Sequence, residues 1–248
     1  MLLDGKTALI SGAATADGIG FATAKLFAEH GARVALLDVD DAIAGRAAEL
    51  GPGHLGLVVD VADGEACTKA ANDIAKAFGG LDILVNNAGI VHGTAIMEIS
   101  EAEYDAVLDI NLKGTFHMAQ AVIPHLRARH GGAIVCMSSI AGQSGGGVFG
   151  RAHYAAAKAG IMGLAKALAR ELAPDGIRVN AIAPGPIDND FTRGRMTREI
   201  KDGIAKSIPM GRLGRSDEVA GVCLFLASEL SSFVTGTVID VNGGLLIH

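Results

Sequence analysis

Thr7-Ala-Leu-Ile-Ser-Gly-Ala-Ala-Thr-Ala-Asp-Gly-Ile-Gly20 joins a short apolar run to a glycine-containing loop and the start of a helical pattern. The apolar run predicts a buried strand. A strand, a glycine loop and a helix in this order put a pyrophosphate at a helix N-terminus, because glycine lets the backbone approach the phosphates closely. The stretch therefore predicts a dinucleotide-binding unit, and its alternative is an ordinary strand-to-helix turn.

Strand and helix patterns then alternate along the whole chain, without an internal repeat or a linker. Six further apolar runs predict strands, at 33–38, 55–61, 83–85, 133–137, 178–182 and 238–241. This alternation predicts a Rossmann-type doubly wound parallel sheet of about seven strands, in a single α/β domain spanning 1–248. Ligands of such sheets bind where strands end. Strand ends carry Gly12, Asp38, Asp60, Asn87, Ser139 and Ile187.

Asp38 ends the second predicted strand, 18 residues beyond Gly20. At that spacing a carboxylate can accept hydrogen bonds from both hydroxyls of an adenosine ribose, and it would repel a 2′-phosphate. Asp17 adds a second negative charge beside the glycine loop, and no Arg or Lys follows Asp38 closely. The charges therefore favour NAD over NADP. The alternative role for Asp38 is that of a turn residue at a strand end.

Tyr154 and Lys158 lie four residues apart at the start of a long helical pattern, so they share one helix face. A neighbouring ammonium favours the phenolate and would lower the tyrosine pKa toward the range of a general base or acid. Ser138 and Ser139 end the fifth predicted strand, where a hydroxyl could hold the oxygen that the tyrosine protonates or deprotonates. The pair Tyr154 and Lys158 alone is equally compatible with chance.

In combination, these motifs closely resemble the short-chain dehydrogenase/reductase family over essentially the whole chain. The resemblance rests on motifs that occur in family order and near family spacing: Gly12…Gly18-Ile19-Gly20, Asp60-Val61, Asn86-Asn87-Ala88-Gly89, Asn111, Ser139, Tyr154…Lys158, Pro184-Gly185-Pro186-Ile187 and Asn242-Gly243-Gly244.

The resemblance implies a role for each matching catalytic residue. Tyr154 would be the general base in alcohol oxidation and the acid in carbonyl reduction. Lys158 would lower its pKa and hold the nicotinamide ribose. Ser139 would position the substrate oxygen, and Asn111 would hold a water that links Lys158 to solvent.

The resemblance also implies the residues that hold the cofactor. Asp38 would bind the adenosine ribose, Asp60 and Val61 would flank the adenine, and Ile187 would offer backbone groups to the nicotinamide carboxamide. The full predicted set is Gly12, Asp17, Gly18, Ile19, Gly20, Asp38, Asp60, Val61, Asn87, Ala88, Gly89, Tyr154, Lys158, Pro184, Gly185 and Ile187.

Three departures from the family pattern are visible in the sequence. Five residues, 13–17, separate the first two glycines of the loop, where the family usually has three. The interval between Ser139 and Tyr154 is about two residues longer than is common, and the extra length falls in 145–150. Asn189 stands where a cofactor-contacting threonine is often found, so we assign no such contact.

The segment 188–215 corresponds to the family's variable substrate lid. It carries Arg193, Arg195, Arg198 and Lys201 close to Phe191 and Met196. Such a basic run could clamp an anionic substrate, and the alternative is a solvated helix face on a mobile lid. His92, after the Asn-Asn-Ala-Gly stretch, and His153, beside Tyr154, are further pocket candidates; for His153, packing or a subunit contact is the alternative.

Composition narrows the class of protein further. The 248 residues carry a net charge of −6, which argues against a nucleic-acid or anionic-membrane partner. Three widely spaced cysteines indicate reduced thiols of a cytoplasmic protein. No apolar run reaches the roughly 18 residues of a spanning helix. No signal peptide and no metal-ligand spacing are seen, so we expect a cytoplasmic protein without metal, membrane or nucleic acid.

The sequence therefore predicts an NAD-dependent short-chain alcohol dehydrogenase/reductase. It would transfer hydride between the nicotinamide and a secondary alcohol, polyol or sugar hydroxyl. The alternative within the class is a ketone or 3-oxoacyl-thioester (3-oxoacyl-ACP) reductase, a group that usually carries basic residues for NADP. A non-catalytic dinucleotide-binding protein is the remote alternative. The resemblance also implies a homotetramer, and the small-residue face Ala155, Ala159, Gly163 and Ala167 fits close helix packing between subunits.

Overall fold

A computed structural model describes residues 1–147, 149–192 and 194–248. Its strands form one parallel sheet in the order β3-β2-β1-β4-β5-β6-β7. This confirms the predicted doubly wound α/β fold. The strands are β1 (Thr7–Ser11), β2 (Arg33–Asp38), β3 (Leu55–Val58), β4 (Ile83–Asn86), β5 (Gly132–Met137), β6 (Ile177–Pro184) and β7 (Val238–Val241).

The central strands are apolar on both sides because helices cover both faces of the sheet. Leu9 of β1 packs into one core cluster, and its neighbour Ile10 packs into the other. The helices are α1 (Ile19–Glu29), α2 (Ile43–Glu49), α3 (Gly64–Phe78), α4 (Glu101–Leu108), α5 (Gly114–Ala128), α6 (Ala141–Ser144), α7 (Ala152–Leu172), α8 (Arg198–Ala205) and α9 (Ser216–Ala227).

The helical region between residues 101 and 129 contains a break in α-helical geometry. A π-helical turn, Asp109–Lys113, separates α4 from α5 and carries Asn111. Pro124 does not divide the region, because it lies inside α5, which continues to Ala128. π-Turns often occur at functional sites. Here the turn sets the direction of the Asn111 side chain.

The strand order reverses between β2 and β4, which both pair with β1. Crevices at such switch points are where open α/β sheets bind ligands. Two side chains join the carboxyl ends of β1 and β4 there. The Ser11 hydroxyl accepts hydrogen bonds from the backbone N–H groups of Asn87 and Ala88, and the Asn87 amide donates to the carbonyls of Ser11 and Gly12.

Candidate active site

Tyr154 and Lys158 lie one turn apart on α7, and both are buried. The Lys158 Nζ atom is 5.6 Å from the centre of the tyrosine ring. The same atom donates a 2.9 Å hydrogen bond to the carbonyl of Met137, the last residue of β5. The lysine is therefore fixed by the sheet edge and lies beside the phenol, as the four-residue spacing predicts.

Burial dominates the acid–base properties of this pair. It raises the pKa of Tyr154 to about 12, and a hydrogen bond with the Ser139 hydroxyl acts in the opposite direction. Burial also lowers the pKa of Lys158 to about 8, because a desolvated ammonium is unfavourable. The tyrosine pKa is therefore raised, and not lowered as the four-residue spacing predicts, because desolvation of the phenolate is the largest effect on it.

The two serines after β5 have different surroundings. Ser138 is buried, and its hydroxyl donates a 2.7 Å hydrogen bond to the Lys158 carbonyl, which ties α7 to the sheet edge. Ser139 is half-buried, and its hydroxyl accepts from the Ala141 N–H at 3.1 Å. The Ser139 hydroxyl is therefore the one that remains able to donate toward a substrate oxygen.

Asn111 is completely buried, and its amide nitrogen donates to the carbonyls of Ile90 and Val107. Its side-chain oxygen has no hydrogen-bond partner among the residues that the structure describes. A Cβ atom built on Gly89 would lie 2.5 Å from this oxygen and 3.4 Å from Lys158 Nζ. The oxygen and the ammonium thus border the same small space over Gly89, a position that excludes any larger residue.

The glycine loop requires its glycines for steric reasons. Gly12 has a φ of 68°, and a Cβ atom there would lie 2.6 Å from the Cα of Ala88. A Cβ atom on Gly20 would collide with the Gly12 carbonyl and the Asn87 amide. Gly18 precedes the first helical residue, Ile19, and no side chain in the described part of the chain caps α1 there. Among those residues, the N–H groups at the start of α1 thus have no capping side-chain acceptor.

Asp38 holds this loop in place. Its carboxylate accepts the Ala14 N–H at 2.9 Å and the Asp40 N–H at 3.3 Å. Arg46, which is absent from the predicted set, also contacts the loop: its Nε donates to the Ala14 carbonyl at 2.9 Å while its guanidinium pairs with Glu49. Arg46 lies in α2, eight residues after Asp38, and no sequence motif links it to the glycine loop. Its contact with the loop is therefore visible only in the folded structure.

Asp17 faces solvent, and its backbone carbonyl is the group that is anchored. The Ser216 hydroxyl donates to it at 2.6 Å. Ser216 is the first residue of α9 and not its cap, because Arg215 holds the N-cap position with Glu218 accepting its N–H. The Asn189 amide donates to the Ser216 hydroxyl at 3.2 Å, so these bonds join the lengthened loop to the start of the lid.

Asp60 and Val61 follow β3 and differ in exposure. Asp60 is exposed, and its carboxylate accepts the Ala62 N–H in a local turn. The Val61 side chain is buried against Gly114 of α5, so it is not free to lie along an adenine ring. A contact of Val61 with the cofactor would have to use its backbone.

The segment Pro184–Ile187 continues β6 along the sheet edge. The Pro184 carbonyl accepts the Ile140 N–H, and the Gly185 N–H donates to Val241. Gly185 lacks a side chain where a Cβ atom would lie 2.9 Å from the Cα of Asn242. Ile187 is buried in the core and bridges to Gly214, so the segment is rigid.

A cluster of polar side chains lies beside the tyrosine. The Glu103 carboxylate accepts from His153 Nε2 at 3.1 Å and lies 3.4 Å from His92 Nδ1. A hydrogen bond with Thr94, and then the two histidines, hold the Glu103 pKa below its usual range. His153 is buried and packs between helices, which is the alternative role for it, whereas the His92 side chain is 43% exposed.

The predicted lid contains α8 and several paired basic residues. Lys201 pairs with Asp188 at 2.6 Å, and Arg195 donates to backbone carbonyls. Arg198 is exposed at the start of α8. Two positions lie outside the described residues: Arg193 of the basic run, and position 148 in the interval between Ser139 and Tyr154.

The fold also bears on the expectations about membranes, metals and thiols. Within 1–147, 149–192 and 194–248, no helix combines the length and apolar character needed to cross a membrane. In that part of the chain no group of three or more His, Cys, Asp or Glu side chains has the arrangement of a metal site. Cys67, Cys136 and Cys223 are free and buried.

Comparison with known proteins agrees with this geometry. The family described as enoyl-(acyl carrier protein) reductase matches residues 12–246. A protein of Sinorhizobium fredii named as an uncharacterized short-chain type dehydrogenase/reductase is 52% identical, with all of both chains covered. A Thermotoga maritima protein named as the 3-oxoacyl-[acyl-carrier-protein] reductase FabG is 42% identical, also over all of both chains.

A solved structure gives the same result for the fold. The crystal structure titled gox2181 superimposes with a TM-score of 0.92 at 36% identity, covering 98% of this chain and 96% of that one. The sheet and the residues at its carboxyl edge define a Rossmann-type α/β oxidoreductase. The chain belongs to the short-chain dehydrogenase/reductase family, which confirms the resemblance seen in its motifs.

Proposed function

We propose that this protein transfers hydride between a nicotinamide dinucleotide and a secondary alcohol or its ketone, with NAD(H) as the preferred cofactor. The observation that carries the proposal is the grouping of Tyr154, Lys158 and the Asn111 oxygen around one buried space beside Ser139. Such a grouping can move a proton to or from a substrate oxygen and replace it from solvent.

The residues at the sheet edge fit a dinucleotide. The absence of Cβ atoms at Gly12 and Gly20 and the uncapped start of α1 suit a pyrophosphate. The unpartnered Asn111 oxygen and the Lys158 ammonium suit a ribose hydroxyl or a water above Gly89. When bound, the nicotinamide would accept or supply the hydride, while the protein supplies orientation and the proton.

Each member of the proposed catalytic set has a distinct part. Tyr154 would exchange a proton with the substrate oxygen, and Ser139 would hold that oxygen by a hydrogen bond. Lys158, fixed by the Met137 carbonyl, would support the charge on the phenol and hold the ribose. Asn111 would connect the lysine to a water chain through its free oxygen.

The choice of NAD rests on charge around Asp38. Asp40 and Asp41 follow it after Val39, and no basic side chain lies in that run. Arg46 is near the loop, but Glu49 pairs with it and offsets its charge. A 2′-phosphate would therefore meet the Asp38 carboxylate without a free cation to compensate, which is the reason for the predicted preference.

Two substrate classes follow from different observations. The relatives named as 3-oxoacyl-[acyl-carrier-protein] reductases, 40–42% identical over nearly the whole chain, favour a 3-oxoacyl thioester and its 3-hydroxy product. The acidic ribose site favours NAD, the cofactor suited to oxidising a secondary alcohol, polyol or sugar hydroxyl. We place the 3-oxoacyl thioester first, because full-length similarity bears on the substrate pocket as well as on the cofactor site.

The proposal includes a homotetramer in the cytoplasm. Ala159, Gly163 and Ala167 form an exposed face of small residues on α7, whereas Ala155, expected on the same face, is buried inside the protomer. Phe116 on α5 is 46% exposed, which suits a subunit contact. Sedimentation equilibrium of the purified protein tests the proposed homotetramer, and a monomer mass would contradict it.

The proposed location in the cytoplasm rests on the cysteines, because reduced thiols are typical of cytoplasmic proteins.

The test of the proposed function is a substrate panel followed by the absorbance of reduced nicotinamide. Acetoacetyl thioesters, secondary alcohols, polyols and aldoses are each offered with NAD(H) and NADP(H). We expect turnover of an acetoacetyl thioester with NADH. Turnover of only polyols or simple alcohols would move the second substrate class to first place. Binding of NADH without turnover of any member of the panel would contradict the enzymatic proposal.

A further inference from the structure

Arg195 differs from the other basic residues of the lid in its partners. Its Nε donates to the Thr192 carbonyl at 2.8 Å, and its Nη2 donates to the Val91 carbonyl at 2.8 Å. Its backbone N–H also donates to Thr192. The guanidinium is therefore held in one place by backbone groups of two separate segments, across a gap of 104 residues in sequence.

The charge of this guanidinium is not balanced by a nearby acid. Lys201, Arg212 and Arg215 each pair with a carboxylate, whereas Arg195 forms no ion pair with any residue that the structure describes. The Asp190 carboxylate, in the same turn, accepts the Gly194 N–H instead. Among the described residues the Nη1 group also has no hydrogen-bond acceptor, so donors remain available for a ligand.

The segment that holds Arg195 runs directly past the proposed catalytic residues. Gly89 borders Lys158, the Ile90 carbonyl accepts from Asn111, and Val91 packs in one cluster with Tyr154. The next residue, His92, points its ring toward Glu103. Anchoring on the Val91 carbonyl therefore places the charge of Arg195 beside the segment that packs against Tyr154.

His92 adds an imidazole to the same segment. Its Nδ1 lies 3.4 Å from the Glu103 carboxylate, and its ring centre is 6.4 Å from that of His153, the residue before Tyr154. A carboxylate in this position orients the imidazole. The carbonyl that holds the guanidinium and the imidazole thus belong to neighbouring residues, Val91 and His92, of one segment.

We infer that Arg195, assisted by His92, binds an anionic group of the substrate and so determines specificity. The inference rests on the proposed function, because it concerns a substrate of the same site. A guanidinium with free N–H groups binds a carboxylate, phosphate or sulfonate by charge-assisted hydrogen bonds. Such an anion could belong to the reacting molecule itself or to the phosphate-bearing arm of a thioester.

The test measures the binding of matched ligands by titration calorimetry to the complex of the full-length protein with NAD+, which cannot reduce them. The ligands share an acetoacetyl group: acetoacetyl-CoA carries phosphates, acetoacetate carries a carboxylate, and acetoacetyl-N-acetylcysteamine is neutral. Arg195→Met is compared with Arg195→Lys, which keeps the charge, and with Arg198→Met, which removes a charge from an exposed position in the same lid. Turnover is recorded alongside binding.

We expect Arg195→Met to weaken binding of an anionic ligand by about tenfold or more, with Arg195→Lys intermediate. The neutral thioester and NADH should bind all the proteins within about twofold, and Arg198→Met should match wild type. Loss with acetoacetyl-CoA alone identifies a phosphate, and loss with acetoacetate identifies a carboxylate.

Equal effects of Arg195→Met on the anionic and neutral ligands, or none on either, would overturn the inference. So would failure of both anionic ligands to bind wild type more tightly than the neutral one. Arg195-dependent binding without turnover would contradict the proposed function and leave the inference standing. If the neutral thioester is turned over at a rate that does not depend on Arg195, and the Arg195 variants bind the anionic ligands as wild type does, the proposed function stands and the inference about Arg195 is contradicted.

Discussion

Lys158 lowers the stability of the folded protein and is also a member of the proposed catalytic site. Its ammonium is buried beside a phenol, and the Met137 carbonyl is its hydrogen-bond acceptor. Burying a charged amine costs free energy, which its lowered pKa of about 8 reflects. The predicted role of Lys158 requires a cation near the cofactor. We therefore attribute the free-energy cost of burying this ammonium to a functional requirement and not to a packing requirement.

Lys158→Met should therefore abolish turnover and change how stability depends on pH. In the folded protein the lysine pKa is about 8, below its unfolded value of ~10.4. Between these values the unfolded state binds more protons, so wild-type stability should rise relative to the variant as pH increases, by up to about 3 kcal/mol.

Urea unfolding of both proteins at several pH values from about 7 to 9.5 checks this. The loss of the bond to the Met137 carbonyl affects the variant equally at every pH. The pH dependence of the difference in unfolding free energy between the two proteins therefore reports the charge of the lysine alone. Stability curves that stay parallel across this range would show that Lys158 is not desolvated in the folded state.

At this scale the sequence could predict that Gly12, Asp38 and Ser139 gather, because each lies at a strand end and all the strands run parallel. It could not predict the balance of effects on a pKa. The four-residue spacing of Tyr154 and Lys158 indicates a lowered tyrosine pKa, but burial raises it to about 12. Burial depends on what covers the helix face, and spacing along α7 carries no such information.

The glycine loop is the element whose conformation depends most on its sequence. Gly12 has a φ of 68° and lies close to the Cα of Ala88 on the neighbouring strand end. Gly12→Ala should lower the free energy of unfolding by roughly 1–3 kcal/mol and weaken NADH binding, because the backbone must move away from β4.

Gly45→Ala is the matched control for this substitution. Gly45 lies in α2, and a Cβ atom added there would have no neighbour within 4 Å, so alanine should be neutral or stabilising by up to about 1 kcal/mol. Urea unfolding and NADH fluorescence titration test both variants. A Gly12→Ala protein with wild-type stability and affinity would contradict the close-approach argument.

The link between the lengthened loop and the lid gives another prediction. Ser216 donates to the Asp17 carbonyl and accepts from Asn189, whose side-chain oxygen in turn accepts the Phe191 N–H. Ser216→Ala breaks both bonds made by the hydroxyl. We expect weaker NADH binding by about three- to tenfold and faster proteolysis within the lid.

Ser207→Ala serves as its control, because the Ser207 hydroxyl is exposed and donates only to the Ile204 carbonyl of its own turn. The two variants remove the same hydroxyl group from neighbouring parts of the fold. If Ser216→Ala and Ser207→Ala have the same cofactor affinity and lid cleavage rate, the loop and the lid are not coupled through Ser216.

Elements were easier to predict from the sequence than the contacts between them. Apolar runs and helical periodicity located the strands and long helices. The π-turn at Asp109–Lys113 and the anchoring role of Ser216 were not visible. The first carries Asn111, whose amide donates to two carbonyls, and the second joins positions 199 residues apart. Neither has a local pattern that a sequence could display.

The whole molecule brings three kinds of group to one edge of the sheet. The backbone proposed to accommodate the pyrophosphate lies at β1, the proposed ribose-binding acid lies at β2, and the proposed proton-transfer groups lie at β5 and α7. The relatives from Sinorhizobium fredii and Thermotoga maritima match over the full length of the chain. The residue proposed to select the cofactor and the groups proposed to transfer the proton lie on different elements of this edge.

The most direct test follows reduced nicotinamide absorbance for wild type and Tyr154→Phe, each with NADH and NADPH and one acetoacetyl thioester. The phenylalanine keeps the packing of α7 and removes only the hydroxyl. We predict NADH-preferring turnover in wild type and a loss of at least about a hundredfold in the variant, with NADH binding retained. Equal turnover by the two proteins would contradict the central claim that the Tyr154 hydroxyl carries the proton.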